Sequence, residues 1–220
     1  MSVAWSFSSL KSFEQCPRKY YHTRVAKDVK ESETEAMLYG TLVHEAAEKF
    51  IRDGEPVPEK FAFMRAPLEQ LKAIPGEKHC EMKMGLTEDL EPCDFFAKNV
   101  WWRGIADLVI VNNEKGLAYS VDYKTGKNAR YADTSQLDLV ATAIFKYFPE
   151  VQRVKSGLLF VVSNEFLKAE HEANGIEEYL KKPKQMLARL DIAMENNVWN
   201  AINGPLCRFC AVKQCEYNRS

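Results

Sequence analysis

Gly104-Ile105-Ala106-Asp107-Leu108-Val109-Ile110-Val111 and Leu117-Ala118-Tyr119-Ser120-Val121-Asp122-Tyr123-Lys124-Thr125-Gly126 are two apolar stretches separated by a turn-forming run, Asn112 to Gly116. Their Ile, Val and aromatic content predicts two neighbouring strands, so residues 101–124 are expected to form a hairpin. Each strand carries a carboxylate inside its apolar run. An ionised carboxylate in such surroundings is costly unless it is paired or bound to a cation. Side chains alternate along a strand, so Asp122 and Lys124 share a face while Tyr123 points away. The hairpin is thus expected to gather two carboxylates and one ammonium. On residue types alone, two outward-facing aspartates with a salt-bridging lysine explain the pattern equally well.

Outward from the hairpin the period changes. Ser8 to Arg24 reads as a helix, capped by Ser8 or Ser9 and broken near Cys16 by Pro17. Residues 27–35 read as a charged loop. Ala36 to Ile51 has the spacing of an amphipathic helix ended by Asp53-Gly54, and Glu59 to Ile74 reads as another, closed by Pro75-Gly76. His79 to Leu86 is a candidate strand. Past the hairpin, Gly126 and Asn128 mark a loop, and Ser135 to Phe148 is helical, stopped by Pro149. Ser156 to Val162 is a short buried strand, and Ile176 to Asn196 is a helix interrupted near Pro183. Residues 203–220 are irregular. This order predicts an α/β fold with a mixed central sheet flanked by helices.

The chain has 220 residues, best explained as one domain with additions. Thirty Lys and Arg against thirty-one Asp and Glu leave a net charge of −1, which excludes a histone-like polycation and a strongly acidic disordered tail. Local patches still differ. Residues 11–30 hold six basic side chains against two acidic ones, with Tyr20, Tyr21 and His22 interleaved, and Lys124, Lys127 and Arg130 cluster beyond the second strand. Such patches suit phosphate and unpaired bases, although a solvated helix face with core tyrosines fits residues 11–30 as well. Residues 77–94 are acidic. No run of 18 apolar residues and no apolar leader at Met1 to Phe13 is present, so a cytoplasmic protein without a membrane span is expected. The sequence G-x-x-x-x-G-K-[ST] is absent, so no P-loop motor is expected.

In a reducing compartment disulfides are rare, and the six cysteines, 16, 80, 93, 207, 210 and 215, need another account. Cys207-x2-Cys210-x4-Cys215 sets three thiolates on one short segment, one short of the four that a zinc or iron–sulfur centre uses. Cys16, Cys80 and Cys93 are the candidates for the fourth, and spacing does not choose among them.

The acidic pair and the lysine suit metal-assisted phosphodiester hydrolysis. Carboxylates hold Mg²⁺ or Mn²⁺, the metal lowers the pKa of a bound water, and a lysine stabilises developing negative charge. Asp107 and Asp122-Tyr123-Lys124, in the spacing D-x(14)-D-x-K, resemble the PD-(D/E)xK nuclease superfamily and in particular its RecB-like branch. Gly40-Thr41-Leu42-Val43-His44 is similar to that branch's helical Gly-x-x-x-His. Glu81 stands where a first-strand glutamate is frequent, and Gln136-Leu137 matches a Gln-Leu helix after the lysine strand. Val140 departs from the Tyr usual four residues after that Gln. Ser9 to Tyr21, around Cys16-Pro17, resembles the N-terminal motif of iron–sulfur RecB-like nucleases, among them AddB-type domains and CRISPR-associated RecB-like exonucleases.

The resemblance implies a single restriction-endonuclease-like domain over 1–220, with a core at about 36–196 and a lobe of 6–30 with 200–220. It implies Mg²⁺ or Mn²⁺ held by His44, Asp107, Asp122 and the Tyr123 carbonyl, with Lys124 catalytic and Gln136 positioning water or phosphate. It implies a 4Fe–4S cluster on Cys16, Cys207, Cys210 and Cys215, with zinc the alternative on ligand type; the last cysteine gap is four residues where five is usual. The function it implies is a DNA exonuclease acting at single-stranded ends in recombination, repair or processing; the missing P-loop motor suggests action alone or with a separate helicase or recombination protein as partner. The alternatives are a structure-specific endonuclease on the same core and a non-catalytic DNA-binding adaptor.

Overall fold

The computed structural model describes residues 4–127, 129–130 and 132–219; Asn128, read above as part of a loop signal, lies outside them. Its contacts divide the chain into two compact units. The larger centres on Glu35–Tyr179, and the smaller joins Trp5–Thr34 to Leu180–Ser220.

In the larger unit the long apolar runs become the middle of a six-stranded sheet. Its strands are β1 (Glu77–Leu86), β2 (Pro92–Cys93), β3 (Trp102–Asn112), β4 (Leu117–Lys124), β5 (Arg153–Phe160) and β6 (Glu165–Glu172), in the order β2-β1-β3-β4-β5-β6. Only β4 and β5 pair in parallel; every other neighbouring pair is antiparallel. The β3–β4 hairpin forms as the sequence predicts, turning through Asn113–Lys115 and Gly116, whose φ of 55° suits glycine. From Ala106 to Val111 every residue of β3 is buried, as a strand covered on both faces requires.

Helices cover both faces. On α3 (Glu35–Arg52), Val43, Ala46, Ala47 and Ile51 form a buried stripe. With Leu68 and Leu71 of α4 (Arg65–Ala73) they pack against Leu108, Ile110, Val121, Tyr123 and Leu159 of the sheet. On the other side, Leu137 of α5 (Ser135–Tyr147) packs with Leu158 and Phe160. Leu158 and Leu159 are neighbours that join different clusters, as strand alternation demands. The α/β architecture expected from the sequence is therefore present. Gly76, which leads into β1, sits at φ 140°, and a Cβ there would lie 2.6 Å from the Val111 carbonyl oxygen, so only glycine fits.

Other expectations need correction. The helix read over 59–74 is a 3₁₀ stretch, Glu59–Met64, followed by α4, whose Pro67 falls in the first turn, where its missing N–H has no helical partner to lose. The helix α6 (Ile176–Asn196) runs unbroken through Pro183, which is buried, so packing carries it past one lost backbone bond. The strand β6 was not expected: four of its eight residues are charged, and at a sheet edge no apolar run is needed.

In the smaller unit, α1 (Phe7–Gln15) is capped by Ser6 rather than Ser8 or Ser9. The Ser6 hydroxyl accepts the Ser9 N–H at 3.3 Å, and Ser9 Oγ accepts the Ser6 N–H at 2.9 Å. The chain breaks at Cys16 and resumes as α2 (Pro17–Tyr20), with proline opening the new helix as expected. Trp199 gathers Tyr20 and Tyr21, at ring distances of 6.3 and 5.1 Å, and Phe13 at 6.5 Å. Tyr20 is buried, so it serves this core rather than a stacking surface for bases.

Candidate active site

The β3–β4 ladder runs from Asn112↔Leu117 to Leu108↔Val121 and stops. Asp107 and Asp122 would be the next rung, but the strands part there. The Tyr123 N–H is donated to Asp107 Oδ2 at 2.6 Å instead of to a carbonyl across the ladder. On the other side of β3, Glu81 of β1 stands opposite Asp107 between the paired Cys80↔Leu108 and Met82↔Ala106. Glu81 has φ 49°, a left-handed conformation rare for a non-glycine strand residue and costing about 1–3 kcal/mol. Such strain persists where surrounding structure holds it, and here it lies beside the carboxylates.

The buried stripe of α3 fixes that helix on the sheet, and His44 projects beside it. His44 Nε2 donates to the Tyr123 carbonyl at 3.0 Å, and Nδ1 lies 3.4 Å from Asp107 Oδ2. Ligand atoms of His44, Glu81 and Asp107 all lie within 4.8 Å of one another, and no other such group occurs among the described residues. Lys124 Nζ is 2.6 Å from Asp122 Oδ2 and 3.4 Å from Gln136 Oε1. Lys124 is thus the ion-pair partner of the buried Asp122 Oδ2, while the buried Gln136 Nε2 has no hydrogen-bond partner among the described residues.

The charges explain the strained electrostatics. Burial, then the nearby Asp107 carboxylate, pushes the Asp122 pKa up to about 6, against the opposing pull of Lys124. Burial and Asp107 raise Glu81 as well. Burial disfavours protonated His44, but the hydrogen bond and charge of Asp107, with Asp122 and Glu81, outweigh it and leave its pKa raised. Crowded carboxylates, two of them raised in pKa by burial and by one another, and an imidazole turned toward them make a donor set that fits a divalent cation.

The sequence residues thus gather as follows. His44, Asp107, Asp122, Lys124, Gln136 and the Tyr123 carbonyl belong to one site, and Glu81, left open between a site role and a solvated face, belongs with them. Its sequence signal was the resemblance alone; the β1–β3 pairing now sets it opposite Asp107.

The cysteines divide differently. Cys16, Cys207, Cys210 and Cys215 line one cavity of about 380 Å³ within the smaller unit. No three of these sulfurs lie within 4.8 Å of one another. The segment is shaped by Asn218, which donates to the Cys210 and Val212 carbonyls at 2.9 and 3.0 Å. Cys80 packs beside the core of the larger unit, and Cys93 lies on β2. In the basic stretch 11–30, Lys11 pairs with Glu14, Arg18 with Glu216 and Lys19 with Glu31, so half of its cations serve the fold.

Removing the repelled carboxylate should stabilise the protein while disabling the site. Chelator-treated Asp122→Asn is expected to melt roughly 2–8 °C above chelator-treated wild type, corresponding to about 1–3 kcal/mol. The pH dependence follows from the raised pKa. Above pH 6 wild-type Asp122 is charged in both states and the folded state carries the full penalty. Below its unfolded value of 3.8 it is protonated in both, and the difference vanishes. Equal melting temperatures at pH 8, measured by calorimetry, would contradict this.

A family model described as the PD-(D/E)XK nuclease superfamily matches residues 4–215. Nineteen chains of solved structures are similar to this one. The crystal structure of SSO0001 superposes with a TM-score of 0.51 at 12% sequence identity, over 99% of this chain and 88% of that one, a likeness of fold. No curated protein matches in sequence. No helix among the described residues is long and apolar enough to cross a membrane. With a family match over nearly its whole length, on a mixed sheet flanked by helices, the chain belongs to the PD-(D/E)XK nuclease superfamily, whose members are metal-dependent nucleases.

Proposed function

We propose that this chain is a Mg²⁺- or Mn²⁺-dependent exonuclease of the RecB-like branch that trims single-stranded DNA ends in the cytoplasm during recombination, repair or end processing. The observation that carries the nuclease reading is the convergence of His44, Glu81 and Asp107 within 4.8 Å, beside the Asp122–Lys124 pair. The preference for single-stranded ends is supported by the resemblance of the His44, Asp107, Asp122-Tyr123-Lys124 and Gln136 motifs to RecB-like exonucleases. With no P-loop in the sequence, duplex opening falls to a separate helicase or recombination protein.

His44, Glu81 and Asp107, with Asp122 and the Tyr123 carbonyl, would hold the cation, which supplies a Lewis acid and a water of lowered pKa. The protein's own groups do the rest. Asp107 keeps the Tyr123 N–H and so holds the strands apart around the site. Asp122 anchors the Lys124 ammonium, which meets the negative charge that grows on the phosphate and its attacking oxygen. Gln136 accepts from Lys124 through Oε1 and keeps its unpaired Nε2–H for a phosphate oxygen.

We further propose that the four cysteines lining the cavity of the smaller unit hold a structural 4Fe–4S cluster. The support for this reading is that all four cysteines line one cavity and that Ser9 to Tyr21 resembles the N-terminal motif of iron–sulfur RecB-like nucleases; on ligand type zinc is the alternative occupant.

Linear single-stranded DNA should be degraded in Mg²⁺ or Mn²⁺ and spared in chelator, while circular single-stranded DNA stays intact. Lys124→Ala should cut the rate by about 10²–10⁴-fold. Unchanged activity in Lys124→Ala would refute the mechanism, cleaved circles would make the enzyme an endonuclease, and DNA binding without cleavage in either metal would make it an adaptor. Anaerobically purified wild type should be brown, and Cys16→Ala colourless and unstable; a stable brown Cys16→Ala protein would remove Cys16 from the ligands.

A further inference from the structure

Two buried polar side chains, Ser156 and His171, line up with the part-exposed Asp138 of α5 in a row apart from the carboxylates of the site. The Ser156 hydroxyl on β5 lies 3.3 Å from His171 Nδ1 on β6, and His171 Nε2 lies 2.9 Å from Asp138 Oδ1 on α5. Ser156 is 3% exposed and His171 2%. A buried imidazole is costly unless both nitrogens are satisfied, and both are. A carboxylate only accepts, so Nε2–H donates to Asp138, and in the neutral ring Nδ1 accepts from Ser156. The connectivity is that of a hydrolytic Ser–His–Asp triad, but no substrate reaches a serine so buried. Tyr179 closes the row. Its ring stands edge-on to His171 at 5.0 Å, and its hydroxyl accepts the Glu172 N–H at 2.9 Å and donates to the Glu172 carbonyl at 3.2 Å.

What the row grips is the first turn of α5, the turn that carries Gln136. Asp133 Oδ1 accepts the Ser135 N–H at 3.0 Å at the start of that turn and Leu137 packs into the core, and Asp138 adds the tie to the edge strand. With 3.6 residues per turn, side chains two apart point about 200° apart around a helix. Gln136 meets Lys124 on one side, and Asp138 meets the edge strand on the other. A rotation of the turn that loosened one contact would loosen both.

We propose that His171 is a positioning residue of the nuclease site: from the edge strand, through Asp138, it fixes the first turn of α5 and holds Gln136 against Lys124. This rests on the nuclease reading of Lys124 and Gln136. Neither Asp138 nor His171 touches the carboxylates, so the effect passes through the helix.

A double-mutant cycle on steady-state cleavage of linear single-stranded DNA tests it. His171→Gln should lower kcat roughly tenfold, with KM for DNA and Mn²⁺ affinity unchanged. In a Gln136→Ala background the same change should cost less than twofold, because nothing remains to be positioned. Asp138→Ala, at a part-exposed site that tolerates truncation, should repeat both results even where His171→Gln folds poorly. Equal losses in the two backgrounds, or no loss of kcat in either single variant, would overturn the proposal while leaving the nuclease reading intact. A folded wild type that cleaves no DNA in Mg²⁺ or Mn²⁺ would refute the nuclease reading, and this proposal with it.

Discussion

Where the β3–β4 ladder ends, the Tyr123 N–H is given to the Asp107 carboxylate at 2.6 Å instead of to a backbone carbonyl. That substitution lets two strands of a buried sheet separate without orphaning a buried donor. The gap it opens admits His44 from α3, whose Nε2 takes the Tyr123 carbonyl freed by the same separation. It also leaves Asp107 and Asp122 as the next would-be rung, facing a shared space rather than each other's backbone. The layers on either face, α3 with α4 and α5, hold the strands firmly enough for this local break to persist.

The result is a site that opposes stability. Asp107, Asp122 and Glu81 crowd around His44 while Lys124 pairs only with Asp122, burial and mutual repulsion raise the pKa of Asp122 and Glu81, and Glu81 carries left-handed backbone strain. A fold optimised only for stability would not gather them, since crowded buried charge is costly unless a cation compensates it. The membership of the PD-(D/E)XK superfamily and the geometry agree on what that cation is for.

Much of this was legible in the sequence because the relevant physics is local. Apolar runs of Ile, Val and Leu on either side of Asn112–Gly116 specify a hairpin, and strand alternation alone sets Asp122 beside Lys124. His44 and Gln136 were legible through motif spacing and not through periodicity. What stayed hidden depends on partners distant in sequence. Glu81 matches a family position, but its residue type leaves a site role and a solvated face equally open until the β1–β3 register sets it opposite Asp107. Edge strand β6 reads as polar because its pairing comes from β5 and not from an apolar run. Pro183 reads as a break because the burial that carries α6 past it is tertiary. Tyr20 and Tyr21 read as candidates for stacking on bases until Trp199, some 180 residues away, claims them.

The central claim is that the parted strands build a divalent-cation site from His44, Glu81 and Asp107. Mn²⁺ binding, followed by electron paramagnetic resonance on wild type and Glu81→Gln, measures it without reference to activity. Wild type should bind Mn²⁺ in a saturable way, and loss of one carboxylate charge should weaken that binding by about tenfold or more. Equal Mn²⁺ affinity in the two proteins would contradict the account.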